Sequence, residues 1–400
     1  MNTTLRDNID WVGAVDWTVR DFHSYETRSG TSYNAYLIRD ERVALIDTVK
    51  PAFADRLLQN VASLCDLSRV DLVVCNHAEM DHSGALPEVM RAMPQATLLC
   101  DKKCATALSE HYDTKTWKIQ VVADGESICL GSRALQFFET PMVHWPESMA
   151  TYCPEEKLLF SMDGFGQHYA ASERFDDECD LPTILREARA YYANIVMPYG
   201  KAVVNTMNRL GALDIHMIAP SHGVIWRSHI REILAAYDDW ANHRARAKVL
   251  VIYDTMWDST AAMAEAILEG ATQPGVSTEL INIRASNLTE IATEVLDAAA
   301  LAIGSPTLNR GMMPAVAAML AYLQGLRPTD KAAFAFGSYG WGLGGPEAID
   351  RMLRDLEWDV LRAPLRARYR PTPEILQECR EAGRLLAEQA RIKGEQLAAT

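Results

Sequence analysis

Short apolar runs that end abruptly at ligand-type side chains recur along the first half of the chain. Residues 70–75 form one such run, with the length and composition of a buried strand. The segment 76–82 follows at once and reads Asn-His-Ala-Glu-Met-Asp-His, which places four groups able to bind a metal within six residues. Because a strand end supports such a loop rigidly, this spacing predicts a metal site.

The same boundary between apolar and polar residues recurs three times farther along the chain. His144 closes the run 137–143, Asp163 follows the run 158–162, and His222 follows the run 217–221. A single histidine at a strand end is usually a hydrogen-bonded structural group. The coincidence of six candidate groups favours a metal site over separate structural roles: His77, Glu79, Asp81, His144, Asp163 and His222.

The second half of the chain begins with a different pattern. Residues 248–253 form a continuous apolar run of the kind expected for a parallel strand covered on both faces. The loop 254–260 leads into a helix predicted over 261–268 and ended by Gly270. Small hydroxyl residues and backbone amides therefore meet at a helix N-terminus, which is a phosphate-binding arrangement.

This unit of strand, loop and helix is repeated. The loops 304–311 and 337–345 each follow a further apolar run. A strand near 277–283 and a helix opened by the capping pair Asn287 and Glu290 lie between the first and second loops. Five such units predict a doubly wound sheet.

Length and composition fit this division. A chain of 400 residues is long enough for two domains, which we predict at 1–246 and 247–400. The stretch 373–397 has the apolar spacing of a final helix packed on the second domain.

The net charge of −14 argues against binding to nucleic acid or an anionic membrane. The eight cysteines include no Cys-x-x-Cys pair, which argues against a disulfide framework and a fused rubredoxin. The polar N-terminus and the lack of a bilayer-length apolar run predict a cytoplasmic protein.

The ligand series of the first half resembles the metallo-β-lactamase fold, whose signature is a His-x-His-x-Asp-His loop followed by a distant His, an Asp and a last His. Glu79 stands here in place of the second His, and 18 residues separate His144 from Asp163. Both features are similar to the flavodiiron branch of that fold. A carboxylate in place of an imidazole hardens the site and adds negative charge, which favours iron over zinc.

The resemblance implies a role for each ligand of a diiron centre. One iron would be held by His77, Glu79 and His144, the other by Asp81 and His222, with Asp163 as the bridge. His82 is a seventh candidate ligand. Its presence in the sequence does not decide whether it binds, because the matching imidazole is turned away from the metal in some members of the family. The same resemblance makes His23, Tyr191 and Tyr192 candidate proton donors near the metals.

The second half resembles flavodoxin, in which the first loop cradles the FMN phosphate and the later two flank the isoalloxazine ring. The pair Met256-Trp257 departs from the usual hydroxyl-rich phosphate loop and matches the flavodiiron variant of it. The residues that the resemblance implies for FMN binding come from all three loops: Thr255, Met256, Trp257, Ser259, Thr260, Ser305, Pro306, Thr307, Asn309, Gly311, Ser338, Tyr339, Gly340, Trp341 and Gly345.

The two resemblances together cover essentially the whole chain and imply an α/β protein: a metallo-β-lactamase-like αββα sandwich followed by a flavodoxin-like doubly wound parallel sheet. The likeness is greatest to the rubredoxin:oxygen oxidoreductases among the flavodiiron proteins. An external one-electron carrier such as rubredoxin would reduce FMN, and electrons would pass to a diiron centre that reduces dioxygen to water or nitric oxide to nitrous oxide. Members of this family pair head to tail, as a homodimer or a dimer of dimers, so that the flavin of one subunit meets the diiron site of its partner.

Two other functions are compatible with the same domain order. The first is a metal hydrolase of the lactamase type fused to a flavodoxin module, against which Glu79 argues. The second is a pure electron carrier whose first domain has lost its metals, against which the intact ligand series argues.

Overall fold

The computed structural model describes residues 2–398, and the chain forms two compact units. The first unit comprises Met1–Tyr191 and Lys201–Asp238, and the second comprises Tyr192–Gly200 and Asp239–Thr400. The short segment Tyr192–Gly200 thus belongs to the second unit although the chain reaches it within the first. A single boundary, such as the one predicted near Arg246, does not account for a segment of the second unit that lies earlier in the sequence.

The first unit is built on two mixed sheets. The larger sheet has the order β1-β2-β7-β8-β9-β10-β11, and the smaller has the order β12-β13-β14-β15-β16; β3 pairs with β6 and β4 with β5 outside them. The strands are β1 (Thr3–Arg6), β2 (Ile9–Trp11), β3 (Ala14–Asp16), β4 (Asp21–Phe22), β5 (Tyr25–Glu26), β6 (Thr31–Tyr33), β7 (Tyr36–Ile38), β8 (Val43–Ile46), β9 (Val70–Val74), β10 (Thr97–Cys100), β11 (Lys118–Val121), β12 (Ser127–Cys129), β13 (Ala134–Glu139), β14 (Met149–Cys153), β15 (Leu158–Met162) and β16 (Met217–Pro220).

Helices cover the outer faces of these two sheets. Alternate residues of a strand point to opposite faces, so Ile46 and Phe160 pack in the core between the sheets, while Leu45 packs outward with Leu57 of the first helix. Leu210 packs on the outer face of the smaller sheet. The predicted αββα sandwich is confirmed. The helices are α1 (Ala54–Ala62), α2 (Met80–Ser83), α3 (Leu86–Ala92), α4 (Lys102–His111), α5 (Leu181–Tyr191), α6 (Gly200–Leu210) and α7 (Ile230–Ala241).

The second unit contains one parallel sheet of order β18-β17-β19-β20-β21, with β22 also paired to β20. This order is that of a doubly wound sheet and confirms the prediction. The strands are β17 (Arg246–Tyr253), β18 (Ser277–Asn282), β19 (Ala298–Gly304), β20 (Ala332–Tyr339), β21 (Asp359–Val360) and β22 (Leu365–Arg368). The helices are α8 (Ser259–Ala271), α9 (Leu288–Asp297), α10 (Pro314–Leu326), α11 (Gly345–Asp355) and α12 (Pro373–Ala398).

Both faces of this sheet are covered, which explains why the central run 249–253 of β17 and the whole of β19 are apolar. Val249 and Val251 pack against α8 and α12, and the intervening Leu250 and Ile252 are equally buried on the opposite face. Asn287 caps α9 as predicted, because its side chain accepts a hydrogen bond of 2.8 Å from the backbone N–H of Glu290. No helix within residues 2–398 is long and apolar enough to cross a membrane.

Gly270 has a different role from the one predicted. The helix α8 does not end there but continues through Ala271, and Gly270 is buried against the backbone of α12. A Cβ atom at Gly270 would lie 1.9 Å from the carbonyl oxygen of Arg380, and one at Gly383 of α12 would lie 2.0 Å from that of Ile267. The two glycines therefore permit the close approach of α8 and α12.

We expect Gly270→Ala to destabilise the second unit. The added methyl group meets backbone that cannot move aside, and such overpacking costs about 1–3 kcal/mol. The matched control is Gly325→Ala in α10, where nothing lies within 4 Å of the added Cβ and the helix gains about 1 kcal/mol from the better helix former. Urea midpoints measured by circular dichroism test both, and equal midpoints for the two variants would contradict this packing.

Candidate metal centre and flavin loops

The candidate ligands of the first unit lie where strands of both sheets end. The segment 76–82 follows β9, and its second half is the short helix α2, which carries Asp81 and His82. Asp163 follows β15 directly, where the register with β16 shifts between Phe160 and Met162 and Met162 adopts a φ of 58°. This irregularity turns the chain at the point where the carboxylate is presented.

His144 and His222 are carried by loops rather than by strand ends. The strand β13 ends at Glu139, so His144 lies in the connection to β14, and the predicted strand over 137–143 was wrong in its second half. His222 follows β16 after one residue, and Gly223 behind it has a φ of +75°. A Cβ atom at Gly223 would lie 1.9 Å from Gln167 Oε1, so this tight turn behind His222 requires glycine.

The structure gathers these side chains into two adjoining groups. The first group consists of His77, Glu79, His144 and Asp163. Glu79 Oε2 lies 3.3 Å from His77 Nε2 and 3.2 Å from His144 Nε2. Asp163 Oδ2 lies 3.5 Å and 3.4 Å from the same two nitrogen atoms.

The second group consists of Asp81, His82 and His222. His82 Nε2 and His222 Nε2 each lie 3.2 Å from one oxygen of Asp81. Asp163 Oδ1 lies 3.2 Å from His82 Nε2 and 3.6 Å from His222 Nε2. Asp163 therefore offers one oxygen to each group.

The donor set fits two metal ions. Asp163 Oδ2 and Asp81 Oδ1 are buried and form no hydrogen bond within the described part of the chain, although buried polar atoms are nearly always satisfied. Buried carboxylates beside imidazole nitrogens are the ligands expected of iron or zinc. A shared carboxylate with unpartnered oxygen is the arrangement that a bridging ligand needs.

Two of the histidines are fixed in orientation from behind. His77 Nδ1 lies 2.8 Å from Glu147 Oε1, and His222 Nδ1 lies 2.7 Å from the carbonyl oxygen of Ser32. Because an ionised carboxylate and a carbonyl can only accept, Nδ1 carries the hydrogen in both rings, and each Nε2 is left as a lone-pair donor facing the groups above. Ser221 Oγ likewise donates to Asp163 Oδ1 at 2.6 Å.

His82 differs from these two ligand candidates. Its Nε2 faces the centre, but its Nδ1 is buried without a hydrogen-bond partner among the described residues. Nothing behind the ring therefore fixes its orientation as Glu147 fixes that of His77.

The electrostatics show how strongly the groups interact without metal. Burial opposes charge throughout, but the adjacent carboxylates of Asp163 and Glu79 raise the pKa of His144 to about 9, and hydrogen bonds to Glu147 and Glu79 raise the pKa of His77 well above its usual value. The same pairs hold the pKa of Glu79 and Asp163 below their usual values. Metal binding would replace the protons on the imidazoles.

The three predicted proton donors occupy different places. His23 is exposed, and its Nε2 lies 3.1 Å from Glu79 Oε1, the oxygen that faces away from His77 and His144. The ring of Tyr191 is buried 5.8 Å from that of His222. Tyr192 belongs to the second unit, where its ring packs 5.4 Å from that of Trp240.

His168 is a neighbour of the site that the sequence analysis missed. Its ring lies 5.0 Å from that of His222, its Nδ1 lies 2.9 Å from Thr31 Oγ1, and its Nε2 lies 3.3 Å from the hydroxyl of Tyr25. Burial and the nearby His222 lower the pKa of His168 well below its usual value, so it is neutral. The available signal was its position five residues after Asp163.

The flavin loops of the second unit lie at the carboxyl ends of β17, β19 and β20, which are neighbours in the sheet. From β17 the chain goes first to β18 on one side and then to β19 on the other, so the strand order reverses at β17. Ligands of doubly wound sheets bind at such a point. In the first loop, shortly before α8 begins at Ser259, Thr255 Oγ1 is buried and has no hydrogen-bond partner among residues 2–398. A free hydroxyl at a helix N-terminus fits a phosphate group.

Several predicted flavin residues shape the loops through hydrogen bonds within the protein. Thr260 Oγ1 and Ser338 Oγ are 3.0 Å apart, and Ser305 Oγ accepts a bond of 2.8 Å from the N–H of Met313. Thr307 Oγ1 accepts from the N–H of Gly345 at 3.0 Å, which ties the second loop to the start of α11. Ser338 and Tyr339, predicted in the third loop, belong to β20.

The remaining predicted flavin residues lie on the loops at or near the surface. Trp257 and Trp341 are 88% and 94% exposed, and Met256 is 41% exposed. Large exposed aromatic side chains at a ligand-binding loop indicate a surface that is covered by a cofactor or a partner. The others lie beside them in the same three loops: Pro306, Asn309, Gly311 and Gly340.

A sandwich of the lactamase type with a carboxylate-rich metal centre, joined to a flavodoxin-type sheet, defines a flavin-containing metalloenzyme of the oxidoreductase class. Comparison with family models agrees, since residues 31–223 match the ODP family beta lactamase and residues 251–383 match flavodoxin. Nitric oxide reductase of Moorella thermoacetica is 42% identical over 393 residues, 97% of this chain and 98% of that protein. Anaerobic nitric oxide reductase flavorubredoxin of Aeromonas hydrophila is 42% identical over 396 residues, 97% of this chain and 80% of that protein.

Solved structures point to the same family. The flavodiiron protein of Giardia intestinalis superimposes with a TM-score of 0.97 at 38% identity, covering 99% of this chain and 98% of that one. Rubredoxin oxygen:oxidoreductase of Desulfovibrio gigas superimposes with a TM-score of 0.96 at 37% identity, covering 98% and 99%. The chain belongs to the flavodiiron protein family.

We expect Glu147→Gln to weaken metal binding. The amide keeps the shape of the partner of His77 but removes the negative charge that makes the imidazole a better donor, and such losses cost about 10–100-fold in metal affinity. Chelator competition with the purified protein measures this loss. Glu110→Gln, an exposed residue of α4, is the matched control, and equal affinities for the two variants would be inconsistent with the role given to Glu147.

Proposed function

We propose that the protein is a flavodiiron oxidoreductase that reduces dioxygen to water or nitric oxide to nitrous oxide. The observation that carries this proposal is the placement of Asp163, which offers one carboxylate oxygen to each of two ligand groups. Beside it, Glu79 stands in place of the second histidine of the metallo-β-lactamase signature. Two adjacent metal ions with a carboxylate-rich set suit a diatomic substrate.

Each of the two cofactors has a set of residues suited to hold it. His77, Glu79 and His144 would hold one iron, Asp81 and His222 the other, and Asp163 would bridge them. The orientation of His82 Nε2 supports a role for this residue as a further ligand of the second iron. The three loops at the ends of β17, β19 and β20 would hold FMN, with Thr255 and the start of α8 at its phosphate. When bound, the FMN would pass electrons to the two irons, and the irons would pass them to the gas.

Two side chains of the first unit suit proton delivery. His23 is exposed and contacts Glu79, so it can exchange protons with solvent at the edge of the centre. Burial raises the pKa of Tyr191 well above its usual value, so its hydroxyl stays protonated beside His222 and would be available as a proton donor. A proton-donor role for Tyr192 stays a prediction.

We further propose a cytoplasmic head-to-tail homodimer, or a dimer of dimers, that receives electrons from rubredoxin or a similar carrier. The exposed Trp257 and Trp341 support this, because they form an apolar surface at the flavin loops that a second subunit would cover. The domain limits 1–246 and 247–400 stay part of the proposal.

The competing function is a metal hydrolase fused to a flavodoxin module. Two of the relatives reported above are named as nitric oxide reductases and a third as an oxygen oxidoreductase, which favours the gas-reducing function. Steady-state consumption of each gas, with a reduced rubredoxin as donor, distinguishes the two. We expect turnover of dioxygen, nitric oxide or both, and inertness to both gases together with hydrolysis of a lactam or thioester substrate would contradict the proposal.

The bridging role of Asp163 is tested by Asp163→Asn. A neutral amide is a much weaker bridge between two cations than a carboxylate, so iron content should fall from about two ions per chain to fewer than about one. FMN should remain bound. Iron and flavin analysis measures both, with Asp113→Asn, a largely exposed residue of the same unit, as the matched control. Full iron and full activity in Asp163→Asn would show that this residue is not the bridge.

Electron transfer between subunits is tested by mixing two inactive variants. Thr255→Glu places a carboxylate where the FMN phosphate would sit, and Asp163→Asn lacks the metal centre. After subunit exchange, half of the dimers in an equal mixture contain one intact flavin facing one intact metal centre, so about a quarter of the activity should return. Recovery of no activity in mixed dimers, or full wild-type activity in a monomeric preparation, argues that transfer stays within one chain.

A further inference from the structure

The first unit contains a cavity of about 360 Å³ that is separate from the ligand groups. It opens between the start of the chain, α1 and the segment 171–174. None of the candidate metal ligands lines it. Volumes of about 300–1,000 Å³ are typical of pockets for small molecules.

The walls of the cavity combine aromatic surface with positive charge. Trp11, Trp17 and Phe53 supply the aromatic surface, and Arg56 and Arg174 supply two guanidinium groups. All of the lining residues are described, and they include no aspartate or glutamate, although the whole chain carries a net charge of −14. The cavity is therefore a local cationic site in an acidic protein.

Arg174 is a buried cation whose guanidinium forms no ion pair among the described residues. The residue is 4% exposed, its Nη2 donates a hydrogen bond to the carbonyl oxygen of Ala171, and its Nη1 has no hydrogen-bond partner within residues 2–398. Its guanidinium stacks 4.8 Å from the ring of Trp11. Among the described residues no carboxylate forms an ion pair with this guanidinium, and Glu178 accepts a hydrogen bond of 3.2 Å from the backbone N–H of Arg174. Burying such a charge costs free energy that an anion in the cavity would offset.

The cavity wall is held in place by side-chain hydrogen bonds. Asn60 of α1 donates from Nδ2 to the carbonyl oxygens of Val12 and Gly13 at 2.9 Å. Trp11 Nε1 donates to Asn34 Oδ1 at 2.8 Å, which fixes the plane of its ring. The site is thus preformed, which lowers the entropic cost of binding.

We propose that this cavity binds a planar aromatic carboxylate of one or two rings. The carboxylate pairs with Arg174 and Arg56, because planar guanidinium groups match that geometry, and the ring lies against Trp17 and Phe53. Arg56 and Trp17 are both exposed, so they stand where a ligand would enter. This site does not depend on the metal centre or on the proposed gas reduction.

The test is calorimetric titration of the holoprotein with 2-naphthoate and, separately, with the neutral 2-naphthamide and the non-aromatic acetate. We expect 2-naphthoate to bind at least about tenfold more tightly than either of the others, the factor that corresponds to about 1.4 kcal/mol. Equal affinity for the amide, equal affinity for acetate, or no binding of 2-naphthoate at millimolar concentration would each overturn the proposal.

Two surface variants place the binding at this cavity without disturbing the buried Arg174. Arg56→Gln removes a cation and Trp17→Ala removes a ring, and each should weaken 2-naphthoate binding by at least about threefold, within the range of single exposed contacts. Arg91→Gln, which removes an exposed arginine of α3, should leave the affinity unchanged. Wild-type affinity in either cavity variant, or an equal loss in the Arg91 control, would count against the site.

Discussion

The carboxylate of Asp163 is the constraint on which the rest of the centre depends. It is almost fully buried, and its two oxygens face different imidazole groups at 3.2–3.6 Å. Such a charge is stable in a protein interior only when it is paired, and here the pairing extends to both ligand groups. Two metal ions would satisfy the same oxygens, so that one residue sets both the separation of the groups and the charge of the centre.

The two sheets of the first unit supply this arrangement from opposite sides. The loop after β9 of the larger sheet brings His77, Glu79 and Asp81, while the smaller sheet brings Asp163 directly after β15 and His222 from the loop after β16. The two parts are joined by a hydrogen bond of 2.9 Å from the N–H of Met149 to the carbonyl oxygen of Asn76. Changes that slide one sheet past the other should therefore disturb metal binding before they unfold the unit.

Sequence patterns predicted those features that depend on local periodicity. Asp163 could be placed because it follows an apolar strand directly, and the flavin loops because each separates a strand from a helix. Glu147 and His168 could not, because their importance comes from contacts with His77 and His222 across 70 and 54 residues of chain. His144 was placed at a strand end because residues 137–143 are apolar, yet the strand ends at Glu139 and the remaining residues form a loop.

We propose that this carboxylate-rich centre holds iron and that the loops of the second unit hold FMN. The most direct measurement is the metal and flavin content of protein purified with iron available, by elemental analysis and visible absorption. The account predicts about two irons and about one FMN per chain, in a preparation that consumes dioxygen, nitric oxide or both. A preparation with two zinc ions that is hydrolytically active and inert to both gases would contradict it.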